Sequence, residues 1–177
     1  MKVSICFSTT NSIFSKIIRW ITKAKISHSY LKIWDQTFSA NLCLHSDWDG
    51  IQIGLLEKFT IDNFTVEEYE IEDPRLDEAV KKNLWHLGKF YNYYQLFNLA
   101  WMIILKRWFV RKIKEPAKDP KKIVCVDYVL YVFNEAGITH LPIGHLTTAD
   151  LLKWCRENYE SLGWKRKTFD DTPKWLQ

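Results

Sequence analysis

Cys125 is the residue whose surroundings most suggest chemistry. It follows Lys121, Lys122 and two β-branched residues, Ile123 and Val124. It opens a segment in which Val126, Val129, Leu130 and Phe133 recur at helical spacing. The N-terminus of a helix presents unpaired N–H groups and partial positive charge, which favour thiolate over thiol, and neighbouring lysines act in the same direction. A thiol fixed there by a packed helix, with its sulfur exposed, suits nucleophilic attack on a carbonyl, and the backbone amides are placed to bind the resulting oxyanion. The competing reading is a small apolar thiol buried for packing. The other cysteines, Cys6, Cys43 and Cys155, are widely spaced and form no CxxC. Neither a zinc ribbon nor a disulfide framework is therefore expected.

A nucleophilic thiol needs a base, and five histidines are available. His28 opens the β-rich run His28-Ser-Tyr-Leu-Lys-Ile-Trp just after a loop, where an imidazole can face a helix end. His45 ends the next run, Asn41-Leu-Cys-Leu-His. If those strands pair, His45 can orient the His28 ring through its far nitrogen, the third role in a triad. His86 lies on a helix between acidic and basic stretches and reads as a surface residue. His140 and His145 flank a turn around Pro142 and Gly144, but no third ligand stands nearby, so no metal is expected. No cofactor motif is present.

The elements that must position these groups follow from periodicity. Val3–Phe7 reads as a strand. Ile13, Ile17, Ile18 and Ile21 share one face of a helix capped by Asn11 or Ser12. Ser29–Trp34, Asn41–His45, Ile51–Gly54 and Phe64–Ile71 read as strands of a small antiparallel meander, with turns at Asp35-Gln36 and Asp47–Gly50. After Pro74, Leu76, Val80, Leu84 and Leu87 recur at helical spacing up to Gly88. A longer helical stretch, Tyr93–Lys114, precedes a polar loop at Lys118–Lys122. The helix from about Val124 to Ala136 closes at Gly137, and Thr147 or Thr148 caps a last helix ending near Cys155. The expectation is an α+β fold in one domain over 1–177, with 93–122 a candidate helical insertion.

The order and flanks of these segments resemble the circularly permuted NlpC-type branch of the papain-like cysteine hydrolases. The matching stretches are His28-Ser29-Tyr30-Leu31-Lys32-Ile33, then His45-Ser46-Asp47-Trp48-Asp49-Gly50-Ile51-Gln52-Ile53, and Gly88-Lys89-Phe90-Tyr91-Asn92-Tyr93. Cys125-Val126-Asp127-Tyr128-Val129 and Thr147-Thr148-Ala149-Asp150-Leu151 complete the series. The resemblance implies a permuted papain-like fold, a small antiparallel sheet or barrel packed against helices with the cysteine at the start of a core helix. It also implies Cys125 as nucleophile, His28 as general base and later acid, and His45 as the orienting residue. Tyr91 and Asp127 become candidates for substrate binding. Four positions depart from the pattern: His45 where many relatives have Glu, Asp127 in place of Glu, and Phe90 and Asn92 in place of Pro and Asp. The implied activity is amide hydrolysis, as peptidase or amidase. A lipid-directed thioesterase or acyltransferase, or a catalytically silent binding module, are the alternatives.

Composition bounds the rest. The chain has 177 residues, of which 47% are hydrophobic and 26% charged, which excludes disordered and fibrous classes. The net charge of +4 is too small to argue for nucleic acid. Residues 57–80 are strongly acidic and 81–122 strongly basic. The aromatic share of 15% is high, and Trp101, Trp108 and Phe109 gather beside Lys106, Arg107, Arg111, Lys112 and Lys114. A helix over 96–113 of this kind could pack on the core, touch a membrane surface, cover a peptide, amide or lipid-like substrate, or bind nucleic acid through its cations, and Trp101 is a candidate substrate contact. The start of the sequence lacks a signal-peptide pattern, and no apolar run reaches membrane-spanning length, so a cytoplasmic location is expected.

Overall fold

The computed structural model describes residues 2–47, 49–91, 101, 122–144, 146–169, 173 and 175. Its centre is β1 (Lys2–Thr9), every residue of which from Val3 onward is buried. Val3, Ile5 and Phe7 point to one face, and Ser4, Cys6 and Ser8 to the other, as a period of two requires. A strand closed on both faces belongs inside a sheet. Accordingly β2 (His28–Asp35) and β5 (Phe64–Ile71) pair with β1 on either side, both antiparallel. The hairpins continue outward through β3 (Ala40–Asp47) to β4 (Gly50–Leu55), and β8 (Lys165–Thr168) adds to β5. The six-stranded antiparallel order is β4-β3-β2-β1-β5-β8. The expected meander thus holds for the first four strands, whereas β5 returns to the far side of β1.

One face of the sheet carries Val3, Ile5, Phe7, Leu31, Ile33, Leu44, Tyr69 and Ile71. It is covered by α3 (Arg75–Asn83), α4 (Cys125–Glu135) and α5 (Thr148–Asn158). The stripe Val126, Val129, Leu130 and Phe133 is buried as its spacing implies. Truncating one such side chain costs about 2–5 kcal/mol. α5 begins with a full capping box between Thr147 and Asp150 and runs past Cys155 to Asn158. The second face carries Cys6, Tyr30 and Cys43 and is covered by Leu56 and Phe59 of α2 (Leu56–Asp62). No helix is expected there from sequence, because two apolar contacts in seven residues leave no readable period.

The helix at Ile13 forms as expected but turns its apolar face outward, and the surface reading of His86 is corrected. α1 (Ile13–Thr22), N-capped by Ser12, has Ser15 as its one buried residue, and its isoleucine face does not join the core. His86, in a 3₁₀ turn (Leu84–His86) after α3, is only 4% exposed, because Tyr131 of α4 stacks on its ring at 4.8 Å. The acidic run is also neutralised differently from its sequence neighbourhood. Glu67 of β5 binds Arg156 and Arg166, while Glu70 and Glu72 pair with Lys165 and Lys167, so the partners come from the C-terminal helix and edge strand.

A short parallel pair, β6 (Phe90–Tyr91) with β7 (Lys122–Ile123), joins residues on either side of the candidate insertion. The candidate insertion 93–122 lies outside the described residues apart from Trp101 and the ends of this pairing. Among the described residues, no helix is long and apolar enough to cross a membrane.

Candidate functional site

β2 and β3 pair as expected, with Leu31 opposite Leu44. His28 and His45 sit at even and odd positions that share the second face with Tyr30 and Cys43. Their ring centroids lie 6.0 Å apart at an interplanar angle of 79°. Phe59 of α2 packs on both, 5.9 Å from His28 and 4.8 Å from His45. Asp47, two residues beyond His45 on the same side of β3, places Oδ2 3.6 Å from His45 Nδ1. Burial is the main influence on His28 and lowers its pKa to about 4, against a smaller upward pull from Asp47. His45 is lowered for the same reason, with further repulsion from His28. Both imidazoles are therefore neutral at pH 7. Among the described residues, the buried Nε2 of His28 and Nδ1 of His45 have no hydrogen-bond partner.

These rings border a groove of about 790 Å³ between α1 and α2. The α1 side presents the hydroxyls of Thr10, Ser12, Ser15 and Ser27, and the α2 side sets Leu55 and Phe59 among Lys58, Asp62 and Asn63. Such a mixed lining suits a ligand that combines an apolar body with a few polar atoms.

Cys125 is the first residue of α4, as its flanks imply. The N-cap, Val124, makes no side-chain hydrogen bond, so a side-chain cap does not occupy the first-turn amides. The sulfur is not exposed as the sequence reading requires: Cys125 is 6% exposed, and Sγ lies 3.7 Å from Thr148 Oγ1 of α5. Among the described residues no hydrogen bond joins it to His28 or His45. The junction before it is nevertheless tied to the histidine strand, because Ser46 Oγ donates to the Ile123 carbonyl at 3.5 Å. The structure thus brings His28 and His45 together on one face of the sheet and sets Cys125 beside Thr148 on the other.

Asp127 is buried, and its carboxylate accepts the Gly144 N–H, which ties α4 to the loop before α5. Tyr91 takes part in β6 through its backbone, and its side chain lies outside the described residues. Trp101 is 60% exposed. The remaining part of 96–113 and His145 lie outside the described residues, and His140 is exposed. Among the described residues no group of three His, Cys, Asp or Glu could hold a metal ion. Three participants escaped the sequence reading. Asp47 was legible, since it follows His45 at the strand period of two, whereas Phe59 and Thr148 reach the site only through tertiary packing. No protein-family model matches the chain, and no curated protein matches it.

Proposed function

We propose that the chain is a cysteine hydrolase of permuted papain-like type that cleaves an amide bond as a peptidase or amidase. The observation that carries this reading is the convergence of His28 and His45 from adjacent strands beside a groove, next to the junction that delivers Cys125. In the proposed cycle the Cys125 thiol gives its proton to neutral His28, and the sulfur attacks the substrate carbonyl. First-turn amides of α4 hold the oxyanion. The C–N bond then breaks as His28 returns the proton to the leaving amine. Water, deprotonated by His28, hydrolyses the thioester and restores the thiol. His45 orients His28, and Asp47 in turn faces His45. Because α4 covers the opposite face of the sheet from the histidines, attack requires the Val124–Cys125 junction to move toward the end of β2 and β3, where Ser46 already holds the Ile123 carbonyl. The same steps on a thioester would make a lipid-directed thioesterase or, on an ester with another acceptor than water, an acyltransferase; Phe14, Ile18, Leu55 and Phe59 in the groove lining favour that variant.

Limiting iodoacetamide, followed by peptide mapping, tests the assignment. Cys125 should label ahead of Cys6, Cys43 and Cys155, which are fully buried, and His28→Ala should remove that advantage. Four cysteines labelling at one slow rate would overturn the proposal. A second reading, a binding module that keeps the fold without turnover, is favoured by the contact of Cys125 with Thr148. In that case groove ligands bind equally well to wild type and Cys125→Ser, and no substrate acylates the thiol.

A further inference from the structure

We propose that the outer face of α1 docks the protein onto an anionic lipid bilayer. This inference stands whether or not the groove is catalytic. α1 is mounted with its polar side inward. Ser15, its one buried residue, exchanges hydrogen bonds with Thr9 and with Ser27. Arg19 donates to Thr9 Oγ1, the Thr10 carbonyl and Ser15 Oγ. The apolar arc faces out instead: Ile13 is 73% exposed, Ile17 46% and Trp20 71%. An amphipathic helix on a soluble surface normally buries that arc, so this orientation leaves a cohesive apolar strip facing outward.

The charges around the strip indicate what covers it. Residues 1–34 contain no Asp or Glu, and α1 with the turn after it carries Lys16, Arg19, Lys23 and Lys25. Lys16, Lys23 and Lys25 are exposed beside the strip. Pairing with a second copy would set these cations against each other, whereas an anionic bilayer satisfies both features. Isoleucines and Trp20 enter the headgroup–acyl boundary and lysines meet phosphates. At ten residues α1 spans about 15 Å, enough to lie in the interface and too short to cross it. Phe14 and Ile18 carry the same apolar arc round into the groove beside His28. Docking therefore opens the groove toward the lipid surface.

Co-sedimentation of the full chain with vesicles of phosphatidylcholine, alone or with about 30% phosphatidylserine, tests this at low ionic strength. The protein should pellet with the anionic vesicles only, and salt near 1 M should release much of it. Ile13→Ser/Ile17→Ser/Trp20→Ser should reduce partitioning by at least about tenfold. Lys16→Glu/Lys23→Glu/Lys25→Glu replaces exposed side chains alone and should also abolish binding, which keeps the test decisive if the serine variant fails to fold. Failure of the wild type to pellet would overturn the proposal, as would unchanged binding of either variant. So would loss confined to Trp101→Ser, or a dimer abolished by the serine variant in a protein that ignores vesicles.

Discussion

His28 and His45 stand edge to face across neighbouring strands, 6.0 Å between ring centroids, with Phe59 closing over both. Charging either ring places a cation next to the other imidazole and beneath an aromatic lid, and Asp47 compensates only part of that cost.

The pair should make the fold acid-sensitive. Burial holds the His28 pKa at about 4 in the folded state, below the unfolded value of 6.5. The unfolded chain therefore binds more protons between those values, so stability is complete above about pH 6.5 and is lost as pH falls toward 4. Each such histidine contributes up to about 1.4 kcal/mol per pH unit within that window. His86, lowered to about 4 chiefly by burial, acts in the same direction. Urea midpoints at pH 7 and 5 should differ clearly, and His28→Gln should shrink the difference. Equal midpoints for the wild type would contradict the burial argument.

Thr148 should restrain Cys125. Its hydroxyl, 3.7 Å from the sulfur, is the thiol's polar neighbour on α5. Thr148→Val keeps the shape and removes that neighbour, at about 1 kcal/mol of stability. Alkylation of Cys125 should then accelerate severalfold if the thiol must turn away from Thr148 to react. A slower rate would mean that the hydroxyl activates the sulfur instead.

What could be read from sequence divides along physical lines. Strands β1 to β5 and the Val126–Phe133 stripe were legible because each buries a face with its own period. The pairing of His28 with His45 followed once their strands were adjacent. Three features depended on what other segments supply. His86 is buried because Tyr131 lies over it, α2 rests on two contacts, and β8 reads as four polar residues whose place is set by the glutamates of β5. The isoleucine face of α1 had a clear period, but period alone does not say whether a face turns in or out.

Glu67 should be worth more than a surface acid. It is buried, takes hydrogen bonds from Tyr69, Arg156 and Arg166, and joins β5, α5 and β8. Burial alone would raise its pKa, yet the hydrogen bonds of Arg156 and Tyr69 outweigh it and leave the carboxylate favoured. Glu67→Gln should cost about 2 kcal/mol, discounted because Arg156 is half in solvent. Urea unfolding would show it, whereas Glu72→Gln, on an exposed pair, should fall within about 0.5 kcal/mol of wild type.

Gly50 should admit no side chain. Its φ is +101°, and a Cβ built on it would stand 2.2 Å from the Lys89 carbonyl oxygen. That approach lets Ile51 exchange hydrogen bonds with Lys89 and Gly88, which fastens the edge of β4 to the segment leading into β6. Gly50→Ala must push two backbones apart and leave the Ile51 N–H and C=O without their partners on Lys89 and Gly88, so a loss of about 2 kcal/mol or more is expected. Amide exchange at Ile51 should rise in step; an unchanged rate would show that the strand edge accommodates the methyl.

The inward polar side of α1 makes the sharpest contrast between two adjacent kinds of residue. In an ordinary amphipathic helix Ile17→Ser would cost several kcal/mol and Ser15→Ile would be tolerated. Here Ile17 is exposed, and Ser15 sits among the hydroxyls of Thr9 and Ser27. Ile17→Ser should therefore change stability by no more than about 0.5 kcal/mol. Ser15→Ile should cost about 2–4 kcal/mol, since it overpacks the site and leaves the Thr9 and Ser27 hydroxyls and the Arg19 guanidinium short of an acceptor. Thermal melts of the two variants check this directly. The opposite order would return the isoleucine face to the core and with it remove the surface on which bilayer docking depends.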